Sequence, residues 1–334
     1  MKCVRLLLVL VWMWMPPSTG AQDSADAEAF YRGKNITYLV SGSIGNGYDL
    51  YARLITKYME RHLPETSIRV QNVQRAGGIL AANQIYSATP DGLTLGSLNA
   101  GLVYIQLQGV EGANFDLAKF EWVGKAGSDP RVIFTGNSGK FQNFEEMLVA
   151  DKPLLFVSTS GIGTSAHNES LILARALGLD MRLVVYRTSN DSLMSLFRGE
   201  VDARVSSYST ARRYVQSGSA RVLAKIGNQI PGLDSVPDVY DYTVDDSARR
   251  LLNLIENTSS LTRYTVMTPG VDPHRVAYMR QIYRDALSDP RLLAEAESLE
   301  LPIEPAYGEE LQNMIDEVLN QPQSTIQSIR ASLQ

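Results

Sequence analysis

An α/β fold in two lobes, each a mostly parallel sheet covered by helices, is the architecture this sequence predicts. Three observations carry it. Short apolar runs alternate with Gly-rich turns and amphipathic stretches, the alternation recurs in both halves of the chain, and 334 residues exceed the about 100–200 of one ordinary domain. With 44% apolar and 20% charged residues the composition is globular, and 25 Gly and 14 Pro are too few for a fibrous or disordered chain. Two lobes imply a cleft between them in which a small ligand is enclosed. The formal net charge of −5 argues against nucleic acid as a partner, because phosphate binding needs a basic face that releases counterions.

The first 21 residues read as a signal peptide. Lys2 and Arg5 supply a positive start, Leu6 to Met15 is apolar, and Thr19-Gly20-Ala21 offers small residues for cleavage near Ala21. The apolar run is well short of the about 20 residues that span a bilayer. Cys3 is the single cysteine, so the mature chain from Gln22 is expected to hold no disulfide. Acceptor patterns at Asn35, Asn168, Asn190 and Asn257 can suggest a glycosylated secretory protein. A cysteine-free mature chain fits a bacterial periplasmic protein better.

Element by element, Ile36 to Val40 reads as a strand and Ser41 to Gly47 as a loop. Leu50, Leu54 and Tyr58, with Tyr51, Ile55 and Met59, then form one helical face by their four-residue spacing, with Asp49 as its expected N-cap. Ile68 to Val73 starts the next unit, Ala76-Gly77-Gly78 turns it, Ile79 to Ala88 is helical, and Pro90-Asp91-Gly92 precedes a strand at Leu93 to Leu98. In the second half, Leu154 to Val157 leads through Ser158 to Ser165 into a helix at Ala166 to Leu177, stopped by Gly178. Met181 to Tyr186 and Val201 to Val205 read as strands around a short helix at Asp191 to Arg198. From Pro273 the tail is helical, with Val276, Met279, Ile282, Tyr283 and Leu287 on one stripe, and is expected to pack back on the first lobe.

In such folds ligands sit at the carboxyl ends of strands, in the loops before the helices. All the Gly-rich loops occupy that place. Ser41-Gly42-Ser43-Ile44-Gly45-Asn46-Gly47 lets the backbone approach a ligand and aims amide hydrogens at it, which suits an anion or a polar head group. Its glycine spacing is not the dinucleotide pattern, and no phosphate-loop lysine follows. Gly77-Gly78 and Gly161-Ile162-Gly163-Thr164-Ser165 repeat the placement, so both lobes present donors that can bridge one small carboxylate.

Taken in order, Ser41 to Arg53, Asn72 to Gly78, Pro90-Asp91-Gly92, Gly161-x-Gly163-Thr164-x-x-His167 and Leu196 through Gly199-x-x-Asp202 resemble the motifs of the tripartite tricarboxylate transporter solute-binding proteins, also called Bug receptors. The similarity runs from about Tyr31 to Ile326. It implies a two-lobed periplasmic binding protein, a type II Venus flytrap that captures carboxylates or related solutes for a membrane permease, with no cofactor. Carried over residue by residue, it places Ser43, Gly45, Asn46 and Gly47, then Ala76, Gly77 and Gly78, then Thr159, Gly163 and Thr164 at the ligand, and Asp49 and His167 also match. The expected lobes are 22–126 with 228–334, and 127–227, joined by hinges near 123–129 and 224–228, in a monomer.

Departures from the family pattern are informative. Ser41-Gly42 replaces a Pro-aromatic pair, Arg75 replaces a glycine, and Tyr186-Arg187-Thr188 replaces a Tyr-Lys-Gly turn. Arg75 or Arg187 is therefore a candidate guanidinium for a second carboxylate, against the plainer reading that both face solvent or pair within the protein. Were Asp49 to face the cleft instead of capping its helix, it would suit an amino group. His167, near a helix start where a positive imidazole is disfavoured, reads as neutral. An enzyme reading finds little support. His62, His167 and His274 show no metal-ligand spacing, and Ser158, Ser160 and Ser165 near His167 lack a nucleophile elbow and an orienting acid. A ligand-sensing partner of a membrane kinase would have an identical soluble chain, leaving transport or sensing open as the output.

Overall fold

The computed structural model describes residues 19–159, 164–186, 188–227, 229–243 and 245–332. The first lobe runs through α1 (Thr19–Tyr31), β1 (Asn35–Val40), α2 (Gly47–Met59), β2 (Ser67–Asn72), α3 (Ile79–Tyr86), β3 (Thr94–Ser97), α4 (Gly101–Gln108) and β4 (Glu121–Gly127). The second comprises β5 (Arg131–Gly136), α5 (Phe144–Leu148), β6 (Leu154–Thr159), α6 (Ser165–Leu177), β7 (Met181–Tyr186), α7 (Ser189–Phe197), β8 (Arg204–Ser207), α8 (Tyr208–Gln216), β9 (Ala220–Ile226) and α9 (Asp246–Ser260). The chain then returns through β10 (Thr262–Met267) and ends in α10 (Pro273–Ser288), α11 (Pro290–Ser298), α12 (Gly308–Leu319) and α13 (Gln323–Ser332).

The first sheet has the order β2-β1-β3-β10-β4, with β1 parallel to β2 and β3, and β10 antiparallel to both its neighbours. In the second lobe β8-β5-β9 and β6-β7 form two ladders. A parallel bridge between Phe156 and Ala203, with Val157 N–H donating to Ala203 O at 3.0 Å, links them into the order β7-β6-β8-β5-β9. The two lobes thus share one topology, and in each the fourth position is an antiparallel strand supplied by a crossing chain, β10 in the first and β5 in the second. Strands buried on both faces read as apolar runs. All six residues of β5 and all six of β10 are buried, and each run contains an arginine.

Two short crossings join the lobes, from Gly127 to Arg131 and from Ser259 to Thr262. They lie side by side, for Asp129 N–H donates to Ser259 O at 3.1 Å and Thr262 Oγ1 to Gly127 O at 3.3 Å. The second crossing comes later than the expected 224–228. After Ile226 the chain stays on the second lobe, where Lys225 N–H donates to Pro237 O at 2.9 Å along the edge of β9, and α9 packs on α6 through Leu251, Leu252 and Ile255. Gly227, a turn beside that edge, resembles a linker in sequence without being one.

The tail also departs from expectation. Helices α10 and α11 cover the first lobe against α2 and β4, whereas α12 and α13 reach across to α4, α6 and α9. Ile315 and Ile329 there share one core with Leu102 of the first lobe and Ile172 of the second. The lobes are therefore fused on one side by apolar packing.

Candidate functional site

A cleft of about 320 Å³ is lined by both lobes and both crossings. Its first-lobe wall consists of the loops expected from the sequence, represented by Ser43, Asn46, Gly47, Gly77 and Gly78, with Asn99 after β3. The second-lobe wall is Thr164, Ser165 and Glu169 at the start of α6, with Arg204 and Ser206 from β8 and Thr210 from α8. Asp129, Arg131 and Arg263 stand at the crossings. Thr159 ends β6. Gly163 and Arg187 lie outside the described residues.

Neutral hydrogen bonds tie the first-lobe loops into one unit. Ser41 Oγ accepts from Asn99 N–H at 2.6 Å, Asn99 Nδ2 donates to Gly77 O at 2.6 Å, and Asn99 Oδ1 accepts from Gly101 N–H at 2.7 Å. Tyr48 OH accepts from Ala100 N–H at 3.0 Å. A Cβ on Gly47 would stand 2.6 Å from Arg263 Nη2, so a side chain there would push the guanidinium aside.

Several expected ligand contacts are engaged within the protein. Asn46, not Asp49, caps α2, its side chain accepting from Asp49 N–H at 3.0 Å. Asp49 sits at the third helical position, a better place for a carboxylate that reaches back to the preceding loop. It takes Gly45 N–H at 2.8 Å, Arg53 Nε at 2.9 Å and Asn72 Nδ2 at 3.0 Å. Burial alone would raise its pKa, but these three donors outweigh burial and lower it. Asp49 and Gly45 thus serve the loop and do not line the cleft, and neither does Ala76, which is exposed. Arg75 is exposed and outside the lining as well, because its loop turns it outward ahead of the left-handed Ala76. His167 also stays out of the lining. Its Nδ1 is 3.2 Å from the hydroxyl of the fully buried Ser158, and burial lowers its pKa, which favours the neutral form.

The charged residues of the cleft are ones the sequence reading passed over. Arg131 Nε donates to Glu169 Oε2 at 2.8 Å and its Nη1 lies 3.9 Å from Asp129 Oδ2. Arg263 pairs with the same Asp129 oxygen and stacks over Tyr48, 4.4 Å from the ring centroid. It has a φ of 53°, a conformation that costs a non-Gly residue about 1–3 kcal/mol and is offset here by those contacts. Arg204 Nη1 donates to Ser192 Oγ at 3.1 Å. Burial opposes the charge on Arg131, but Glu169 and Asp129 outweigh it and raise its pKa. Burial raises Glu169 against the pull of Arg131. At Arg204 burial prevails and draws the pKa down to about 10. The signal for these residues was a charge inside an apolar strand, in Arg-Val-Ile-Phe, Ala-Arg-Val and Thr-Arg-Tyr.

Among the described residues no group of His, Cys, Asp and Glu could hold a metal ion, and no helix is long and apolar enough to cross a membrane. A molecule with two like-wound lobes, two adjacent crossings and a charged cleft between them has the architecture of a solute-binding receptor. Residues 51–330 match the family described as the tripartite tricarboxylate transporter family receptor, and the chain belongs to that family. Receptors of this family are periplasmic solute-binding proteins and not enzymes.

The chain is similar to a UPF0065 protein of Pseudomonas sp. strain P51, 25% identical over 239 residues, covering 70% of each chain. A UPF0065 protein of Bordetella pertussis is 29% identical over 224 residues, covering 66% of this chain and 68% of the other. The fold matches MatC from Rhodopseudomonas palustris with bound malate (TM-score 0.69, 19% identity, 90% of this chain and 99% of the other). It also matches the periplasmic binding protein BugD (TM-score 0.70, 19% identity, 90% and 97%) and an R. palustris protein with adipate (TM-score 0.70, 18% identity, 90% and 97%).

Proposed function

We propose that this chain is an exported receptor that encloses one small carboxylate-bearing solute between its lobes and delivers it to the membrane components of a tripartite transporter. One observation carries the reading. Three arginines and two carboxylates line the cleft, a local excess of one positive charge, in a chain whose net charge is −5. Salt at about 0.15 M screens the acidic exterior beyond roughly 8 Å, so the local charge decides capture. Hydroxyls and amides from both walls, Ser43 and Asn99 on one side and Thr164 and Thr210 on the other, orient the solute once it is drawn in. The malate and adipate held by the two R. palustris neighbours are carboxylates of a size suited to such a cleft.

A thermal-shift screen over mono-, di- and tricarboxylates, amino acids and aromatic acids tests this. At a hundredfold excess over Kd a ligand stabilises the folded form by about 2.7 kcal/mol, which raises the melting temperature measurably. At least one acid is expected to do so. Flat melting curves across every acid would overturn the carboxylate reading.

A further inference from the structure

Gly101 opens α4 and is buried where the two lobes meet. Its φ is not positive, so the backbone at that position admits any residue. Helix propensity argues against it too, since glycine costs a helix roughly 0.5–1 kcal/mol relative to alanine. Space accounts for the choice. A Cβ on Gly101 would stand 2.9 Å from the backbone nitrogen of Ser165 and 2.7 Å from Asn99 Oδ1, where ordinary contact begins at 3.4 Å. Neither neighbour yields readily. Ser165 is backbone at the first turn of α6, in the second lobe, and Asn99 is tied at both ends, its Oδ1 accepting from Gly101 N–H at 2.7 Å and its Nδ2 donating to Gly77 O at 2.6 Å. Asn99 and Ser165 line the cleft from the two lobes, while Gly101 lies outside the lining. Behind this contact Leu102 of α4 and Ile172 of α6 share one apolar core, so the helices meet as packed bodies.

We propose that Gly101 is a positioning residue that sets the width of the cleft: its missing side chain lets the start of α6 close on Asn99, and that separation selects how long an acid can bridge the walls. The proposal rests on the carboxylate reading and adds to it a determinant of ligand length that does not itself touch the solute. An alanine at this position drives the start of α6 back from 2.9 Å to at least 3.4 Å. Thr164, Ser165 and Glu169 move with that helix, so the second-lobe wall recedes and takes up part of the length of an added methylene.

The test is calorimetric titration of the full mature chain and its Gly101→Ala variant with a ladder of straight diacids: malonate, succinate, glutarate and adipate. A whole methylene in a fitted pocket is worth about tenfold or more, so Gly101→Ala is expected to move the preference between neighbouring diacids about threefold or more toward the longer one. Gly124→Ala supplies the comparison, because its Cβ would meet Tyr283 at 2.6 Å within the first lobe. It is expected to lower the melting temperature and leave the preference among diacids as in the wild type. Equal weakening of every diacid by Gly101→Ala, an unchanged ladder, a shift toward shorter acids, or the same shift in Gly124→Ala overturns the inference and leaves the carboxylate reading intact. Failure of Gly101→Ala to fold also overturns it, since the contact would then be a fixed part of the core and not an adjustable meeting of lobes. If no diacid binds the wild type it is likewise overturned, and the broader acid screen shows whether the carboxylate reading falls with it.

Discussion

The two walls of the cleft are built on different physics. The first-lobe wall is neutral, with loops fixed to one another by Ser41, Asn99 and Tyr48 through hydrogen bonds of 2.6–3.0 Å. The crossings and the second-lobe wall are ionic, with Arg131, Arg263, Asp129 and Glu169 in one buried chain. A neutral network fixes shape at small cost when every group is matched. Buried ions add a field that selects the sign of a ligand, and their desolvation makes each partner indispensable to the other. Shape therefore comes mainly from one wall and charge from the other.

Breaking the ionic side is expected to have the largest effect. Asp129→Asn leaves Arg263 and part of Arg131 uncompensated in the interior, and should cost about 3–5 kcal/mol of stability in urea unfolding. A loss under about 1 kcal/mol would mean the chain of charges is not coupled. On the neutral side Asn99→Ala removes the donor to Gly77 O and the acceptor of Gly101 N–H, and should cost about 2 kcal/mol in the same measurement. Equal losses for the two variants would erase the contrast between the walls.

The smallest effect comes from His167 behind the second wall, where burial holds the folded-state pKa below the 6.5 usual for an imidazole. Well above pH 6.5 folded and unfolded imidazoles are both neutral and contribute no pH dependence. As the pH falls below that value the unfolded chain takes up the proton first, so stability declines until the folded pKa is passed. Urea midpoints of wild type and His167→Gln compared between pH 7.5 and 5 should show a steeper acid loss in the wild type. Parallel curves would contradict the burial effect.

What the sequence disclosed follows the same division. Strands β1, β2, β6 and β7 and the loops after β1 and β2 were legible, because alternation and glycine placement are local signals. The strands that pass between lobes were not. Ser259 to Met267 reads as the end of a helix followed by a short apolar run, and nothing local says that Thr262 returns to the first sheet beside Gly127. The site was half legible for a related reason. Glycine loops advertise themselves, whereas Arg131, Arg204 and Arg263 become a cluster only when strands far apart in sequence come together. Arg75, conspicuous beside Ala76-Gly77-Gly78, is exposed and outside the cleft, which is lined instead by those three buried arginines.

The central claim is that the cleft's excess positive charge recognises a carboxylate, and one titration addresses it directly. The tightest-binding acid from the screen is compared by calorimetry with its primary amide, which keeps size and shape and loses the charge. A charge-assisted hydrogen bond contributes about 1.5–3 kcal/mol, so the amide is predicted to bind about tenfold to a hundredfold more weakly. Equal affinity for acid and amide would contradict the account.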